Sequence, residues 1–309
     1  MTNISTLTTE MRNKASAHID NMSTIEILKT INNEDKTVAN RVEDVLPEIE
    51  AAVEMAYQSL IHGGRLFYVG AGTSGRIGIL DAVECPPTYS TPSDLVQAII
   101  AGGNNAFIKA VEGAEDNIHL GARDLEERNV TEIDVVIGIA ASGRTPYVIG
   151  ALQYAKQIGA KTVSLSSNKN SKISQHADVV IEVETGPEVV TGSTRMKAAT
   201  AHKLILNMIT TSTMIKVGKV YENLMVDLKV SNIKLQERAK NIVSTITDVS
   251  YAKATEILEK TNYEVKPAIV MIKADVSFEE AKKYIQSASG FVRKAIDLAN
   301  KGVNEHGSI

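Results

Sequence analysis

Five short runs of mostly apolar residues, at 66–69, 96–100, 135–139, 162–165 and 179–183, punctuate the middle of the chain, with helical stretches such as 147–158 between them. Runs that do not alternate apolar with polar belong to strands covered on both faces, and such strands occur in parallel sheets crossed over by helices. A turn rich in Gly, Ser or Thr follows each run. The pattern predicts an α/β domain built on a five-stranded parallel, doubly wound sheet, whose ligands sit at the carboxyl ends of the strands.

The flanks read differently. Residues 1–62 are predicted to form an N-terminal helical segment packing on the core: Ser23 stands three before Glu26 as a capping box, and Ile25, Leu28 and Ile31 recur at helical spacing. A second stripe, from Val38 through Val42, Val45, Ile49 and Val53 to Leu60, predicts one helix kinked at Pro47. The sheet domain is expected over 63–240. Its last helix is predicted over 192–217, apolar on much of its circumference and buried on the sheet or a second subunit. Short amphipathic helices over 241–309 predict a small C-terminal bundle, similar to three-helix domains of the ubiquitin-associated type.

Composition closes several doors. The net charge of -4, with acids and bases interspersed, offers no basic stripe to nucleic acid. Cys85 is the single cysteine, so no disulfide framework and no Cys/His zinc spacing can be written, and a packed thiol in a reducing, cytoplasmic setting is the simplest reading. No apolar run reaches the roughly 20 residues a membrane span needs. None of the six histidines has a metal-ligand spacing; His202, on the long helix, is the one weighed for a chemical role. Neither metal nor organic cofactor is expected.

Two hydroxyl-rich loops carry the chemistry. After the first strand comes Gly-Ala-Gly-Thr-Ser-Gly-Arg over 70–76, and after the third Ala-Ser-Gly-Arg-Thr over 141–145. Glycine lets a backbone approach an anion, the amides of a helix start point at it, and hydroxyls add neutral donors. Gly72, Thr73, Ser74, Ser142, Gly143, Arg144 and Thr145 are thus candidate phosphate contacts. The first loop also satisfies Gly-x-Gly-x-x-Gly, but the second strand ends in Ala101, Gly102 and Gly103 where a dinucleotide fold places its ribose-binding acid. No Gly-Lys-Ser/Thr follows for a P-loop. A monophosphate on a sugar fits better. Residues 191–194, with Ser193 at their centre, are a third candidate anion contact at the start of the long helix.

The run Gly-Ala-Gly-Thr-Ser-Gly-Arg-Ile-Gly-Ile-Leu-Asp-Ala-Val-Glu-Cys-Pro-Pro-Thr over 70–88 closely resembles the signature of the N-acetylmuramic acid 6-phosphate etherases. So do the runs 110–116, 138–147 and 188–197, and the likeness extends over nearly the whole chain. The resemblance implies a flavodoxin-like SIS fold, a homodimer, and cleavage of the D-lactyl ether of N-acetylmuramic acid 6-phosphate. It also implies two functional glutamates: Glu84 as the main acid/base and Glu115 as a second that handles water. A glutamate that donates a proton near neutral pH needs a raised pKa, so Glu84 is expected in an enclosed, weakly hydrated site. The lactyl carboxylate calls for a cation, with Arg76, Arg144, Arg195 and Lys197 all eligible. Two rivals share the phosphate loops: a non-catalytic sugar-phosphate sensor, which has no need of both glutamates, and an aldose-ketose isomerase, which would release no lactate.

Overall fold

The computed structural model describes residues 6–109, 111–228, 230 and 232–306. Ala110, in the run 110–116, lies outside them. The elements in chain order are α1 (Thr24–Asp35), α2 (Val38–Glu43), α3 (Leu46–Ile61), β1 (Leu66–Gly70), α4 (Gly72–Tyr89), β2 (Val96–Ile100), α5 (Asn105–Ile108), α6 (Ile118–Glu126), β3 (Val135–Ile139), α7 (Pro146–Gln157), β4 (Lys161–Ser166), β5 (Val179–Glu182), α8 (Lys197–Lys216), β6 (Val220–Tyr221), β7 (Leu224–Met225), α9 (Ile233–Thr247), α10 (Tyr251–Lys260), α11 (Val265–Ala274), α12 (Phe278–Ser287) and α13 (Val292–His306).

The chain divides into two compact units, Met1–Val83 with Ser93–Thr211, and Glu84–Pro92 with Ser212–Ile309. The first holds the parallel sheet, in the order β2-β1-β3-β4-β5. All five predicted strands are present. Every residue of β1 and β3 is buried, as unalternating apolar runs require, and each large apolar side chain so covered contributes about 1.5–3 kcal/mol. Their amino ends are pinned by Asp134, whose carboxylate takes hydrogen bonds from the Arg65 amide and guanidinium and from the Thr131 amide, each at 2.8 Å. Burial pushes its pKa up, but those donors outweigh burial and hold it below the usual carboxylate range.

Three sequence expectations are corrected here. The stripe beginning at Val38 is two helices, because Pro47 sits in the first turn of α3, where its missing N–H costs nothing, so the chain breaks before it. The long helix begins at Lys197, five residues late, for a reason given below. In α1 the Ser23–Glu26 capping box is formed, yet Ile25 and Leu28 stay exposed, so this stripe is not buried within the single chain.

The second unit holds the hairpin of β6 and β7, with Glu222 at φ 54 in its turn, and the five helices α9 to α13. Five helices replace the expected three-helix type, and helical structure already begins at Ile233. Asn232, Ser250 and Ser277 cap the starts of α9, α10 and α12. Ala239, Val243, Ala254, Leu258, Ala268, Ile269, Ala281 and Ala295 fill the core, the small alanines letting the helices approach closely.

Candidate active site

In the strand order 2-1-3-4-5 the crossovers leave β1 and β3 toward opposite faces, opening a crevice at their carboxyl ends. Gly70 is in register with Ile139, so the loops after β1 and β3 leave the same edge side by side. This brings Gly72, Thr73, Ser74, Ser142, Gly143, Arg144 and Thr145 to one place. Gly143, at φ 68, lies so close to the segment after β4 that a Cβ there would come within 2.2 Å of Ser171 Cβ. Only glycine lets the chain turn at that point. Gly75 is equally obligatory, because its Cβ would meet Ile100 Cγ1 at 2.5 Å as α4 tucks against β2.

Among the described residues the hydroxyls of Thr73, Ser74 and Thr145 make no hydrogen bond to protein, while Ser142 Oγ accepts from the Arg144 amide at 3.3 Å. Thr145 precedes α7 without capping it. Uncommitted hydroxyls at a helix start are donors held ready for an anion.

Sequence reasoning missed the support behind these loops. The chain after β4, residues 167–173, props the second loop: Ser167 N donates to Ala141 O at 3.1 Å, Asn168 Nδ2 to Ala141 O at 2.9 Å, and Ile173 N to Gly143 O at 3.0 Å. Glu182 anchors it in turn by accepting from the amides of Asn170 and Ser171 at 2.9 Å each. Asn168 also reaches the N-terminal segment, with Thr8 N donating to its Oδ1 at 2.8 Å and its Nδ2 donating to Thr9 Oγ1 at 3.1 Å. The Ser-Ser-Asn run at 166–168 was the available signal, since it is a third hydroxyl-rich strand end. His202 is buried on α8 with Nε2 3.0 Å from Ser167 Oγ, and burial pushes its pKa down to about 4, so it is a neutral ring.

The third anion contact differs from expectation. Residues 191–196 form turns, and the amides that open α8 are already occupied: the fully buried carboxylate of Glu188 accepts from Lys197 N and Ala198 N at 3.0 Å each. A helix start filled by a carboxylate has no room for a phosphate there. Ser193 is half-buried in those turns and can offer only its hydroxyl and local backbone.

Glu115 follows Gly113 (φ 75) in a single helical turn and is exposed. With Glu112, Ala71, Gly72, Arg76, Ala101, Ala106 and Val111 it lines a cavity of about 160 Å³ beside the first loop. The four candidate cations are not equivalent. Arg76 is spent on the carbonyls of Ala106 (2.8 Å) and Phe107 (3.0 Å), and buried Lys197 pairs with Glu34 at 2.6 Å. Arg144 and Arg195 have no hydrogen bond or ion pair from their guanidinium groups among the described residues.

Glu84 lies on α4, about three turns after Gly72. Contrary to the expected enclosure, it is exposed in the single chain. It stands in a stripe with Leu80 (49% exposed) and Val83 (56% exposed), one helical face left uncovered.

Models of the glucokinase regulatory protein N-terminal SIS domain, of the SIS domain, and of the C-terminal lid domain of glucokinase regulatory protein match residues 44–156, 117–212 and 222–291. N-acetylmuramic acid 6-phosphate etherase 1 of Bacillus licheniformis is 56% identical over 298 residues, covering 96% of this chain and 98% of its own. The chain belongs to the N-acetylmuramic acid 6-phosphate etherase family. The etherase of Bacillus subtilis is 56% identical over 295 residues, with 96% and 97% covered, and that of Clostridium beijerinckii 54% over 300 residues, with 97% and 99% covered. For an etherase-family chain, the lid-domain match gives the five-helix unit a relative that the three-helix comparison lacked.

Proposed function

We propose that this chain cleaves the D-lactyl ether of N-acetylmuramic acid 6-phosphate, giving N-acetylglucosamine 6-phosphate and D-lactate in cytoplasmic salvage of cell-wall amino sugars. The observation that carries this reading is the identity of 56% over 298 residues to an etherase, 98% of whose length is covered. A dianionic phosphate suits the crevice between β1 and β3, with Thr73, Ser74, Ser142 and Thr145 as donors, Gly72 and Gly143 as the close backbone, and Ser193 adding a hydroxyl.

Direct hydrolysis of an alkyl ether is slow, and the open-chain sugar offers a better route. Its C1 aldehyde makes the C2 proton removable. Loss of that proton forms a C2–C3 double bond as the C3–O bond breaks, and the lactyl oxygen leaves with a proton from an acid. Water then adds at C3 and a proton returns to C2. Correctly placed acid/base groups contribute typically 10² to 10⁴-fold each, more than helix dipoles supply. Glu84 is assigned the proton delivered to lactate, and Glu115, beside the first loop, the handling of water. Arg144 and Arg195 are the cations left for the lactyl carboxylate.

The exposure of Glu84 bears on assembly. An acid near neutral pH needs a poorly hydrated setting, and Leu80 and Val83 beside it are apolar surface awaiting cover. A homodimer that covers this face of α4 supplies the missing enclosure. Light scattering should give twice the chain mass.

The deciding assay is incubation with N-acetylmuramic acid 6-phosphate and detection of D-lactate. Glu84→Gln should abolish release while leaving affinity for the phosphate ligand within about threefold. In ¹⁸O-labelled water the label should appear on the sugar C3 oxygen; label in lactate would refute elimination, and isomerised sugar without lactate would favour the isomerase.

A further inference from the structure

Glu84 makes no hydrogen bond or ion pair among the described residues, so nothing around its own side chain aims it. Its direction is inherited from the backbone of α4. One turn earlier, at the buried side of the same helix, stands Asp81, 6% exposed. Its Oδ2 accepts from Tyr68 Oη on β1 at 2.8 Å, and its Oδ1 accepts from Asn207 Nδ2 at 2.6 Å and Thr210 Oγ1 at 3.1 Å, both on α8. A second contact fixes the height of the helix: α4 approaches β1 so closely at Gly78 that a Cβ would lie 2.9 Å from Tyr68 Cβ.

We infer that Asp81 is a positioning residue for the etherase reaction, clamping the rotation of α4 between β1 and α8 so that Glu84 is presented at one angle. The inference rests on the reading that Glu84 acts on the substrate. A packing role alone would not call for a carboxylate. Burial pushes the Asp81 carboxyl above its usual range, and the hydrogen bonds return only part of that cost. What a carboxylate adds is direction, since three donors from two elements admit one rotation of the helix. Gly75, Arg76 and Gly78 restrain the first half of α4, and Asp81 extends that hold toward Glu84. A roll that moves a catalytic group by 1 Å can lower the rate by a factor of about 100.

The test compares Asp81→Ala, Asn207→Ala and Glu84→Gln in the full chain. Folded sites are counted by titration with N-acetylglucosamine 6-phosphate, and D-lactate release is expressed per titrated site. Asp81→Ala should lower kcat per site about 100-fold, and Asn207→Ala, which keeps two of the three donors, about 3- to 10-fold, with KM within about threefold in both. An unchanged kcat per titrated site in both variants would overturn the inference, leaving Asp81 a purely structural role. If Asp81→Ala does not fold, Asn207→Ala decides alone by the same criterion. Wild-type lactate release by Glu84→Gln would instead remove the reading of Glu84, an outcome separate from loss in Glu84→Gln with both clamp variants unaffected.

Discussion

Replacing Glu188 by alanine should be among the most damaging single changes in the first unit. The residue is fully buried, and its two oxygens take the amides of Lys197 and Ala198, which are themselves buried at 3% and 0% exposure. Removing the carboxylate leaves two buried N–H groups without an acceptor, at about 1–3 kcal/mol each. It also removes a negative charge from the positive end of a 20-residue helix, a further ~0.3–2 kcal/mol. The sum, about 2–8 kcal/mol, is a large share of the 5–15 kcal/mol by which domains are typically stable. Glu188→Gln keeps one acceptor oxygen and should cost about half as much. Urea unfolding followed by circular dichroism gives the free-energy change, and hydrogen exchange over 197–203 localises it, because the first turn of α8 should exchange faster in both variants. A loss below about 1 kcal/mol for Glu188→Ala, with exchange over that turn unaltered, would refute the capping argument.

Gly143→Ala and Gly72→Ala should differ despite similar backbone angles, φ 68 and φ 53. The first drives a methyl into Ser171 and should weaken binding of N-acetylglucosamine 6-phosphate by tenfold or more, whereas the second meets nothing within 4 Å and should cost only about 1–2 kcal/mol of backbone strain; calorimetric titration and melting temperature separate the two. His202, held down at about pKa 4 against about 6.5 in the unfolded chain, predicts an acid sensitivity. Between those values the unfolded state binds the extra proton, so stability should fall by up to ~1.4 kcal/mol per pH unit as pH drops from 6.5 toward 4. His202→Gln should flatten that part of the melting-temperature profile, and parallel profiles would contradict it.

The strands were legible because a segment covered on both faces is largely apolar and is followed by a Gly, Ser or Thr turn, a sign that the equally apolar helical run 267–272 lacks. The two hydroxyl-rich loops were legible as strand-end turns, and the register of Gly70 with Ile139 sets them side by side. Legibility failed where a remote residue does the work of a local one. Glu188 fills the start of α8 where residues 191–194 were expected to meet an anion, and a contact nine residues away leaves no nearby mark. The partners of Arg76 and Lys197 were hidden for the same reason: Ala106 and Glu34 are distant in sequence, so four eligible cations became two only in three dimensions. The enclosure expected for Glu84 failed differently. Chemistry demanded it, but one copy of the chain does not supply it.

Asn168 gives the crevice a long reach along the chain. Through this one amide, the back wall of the second loop is tied to Thr8, 160 positions earlier, as well as to Ala141. During synthesis Thr8 must therefore wait until the segment after the fourth strand is made before it has this partner. A nascent chain can thus have the sheet half laid down and still lack the prop behind its second loop, which arrives only when residues 160 positions apart meet.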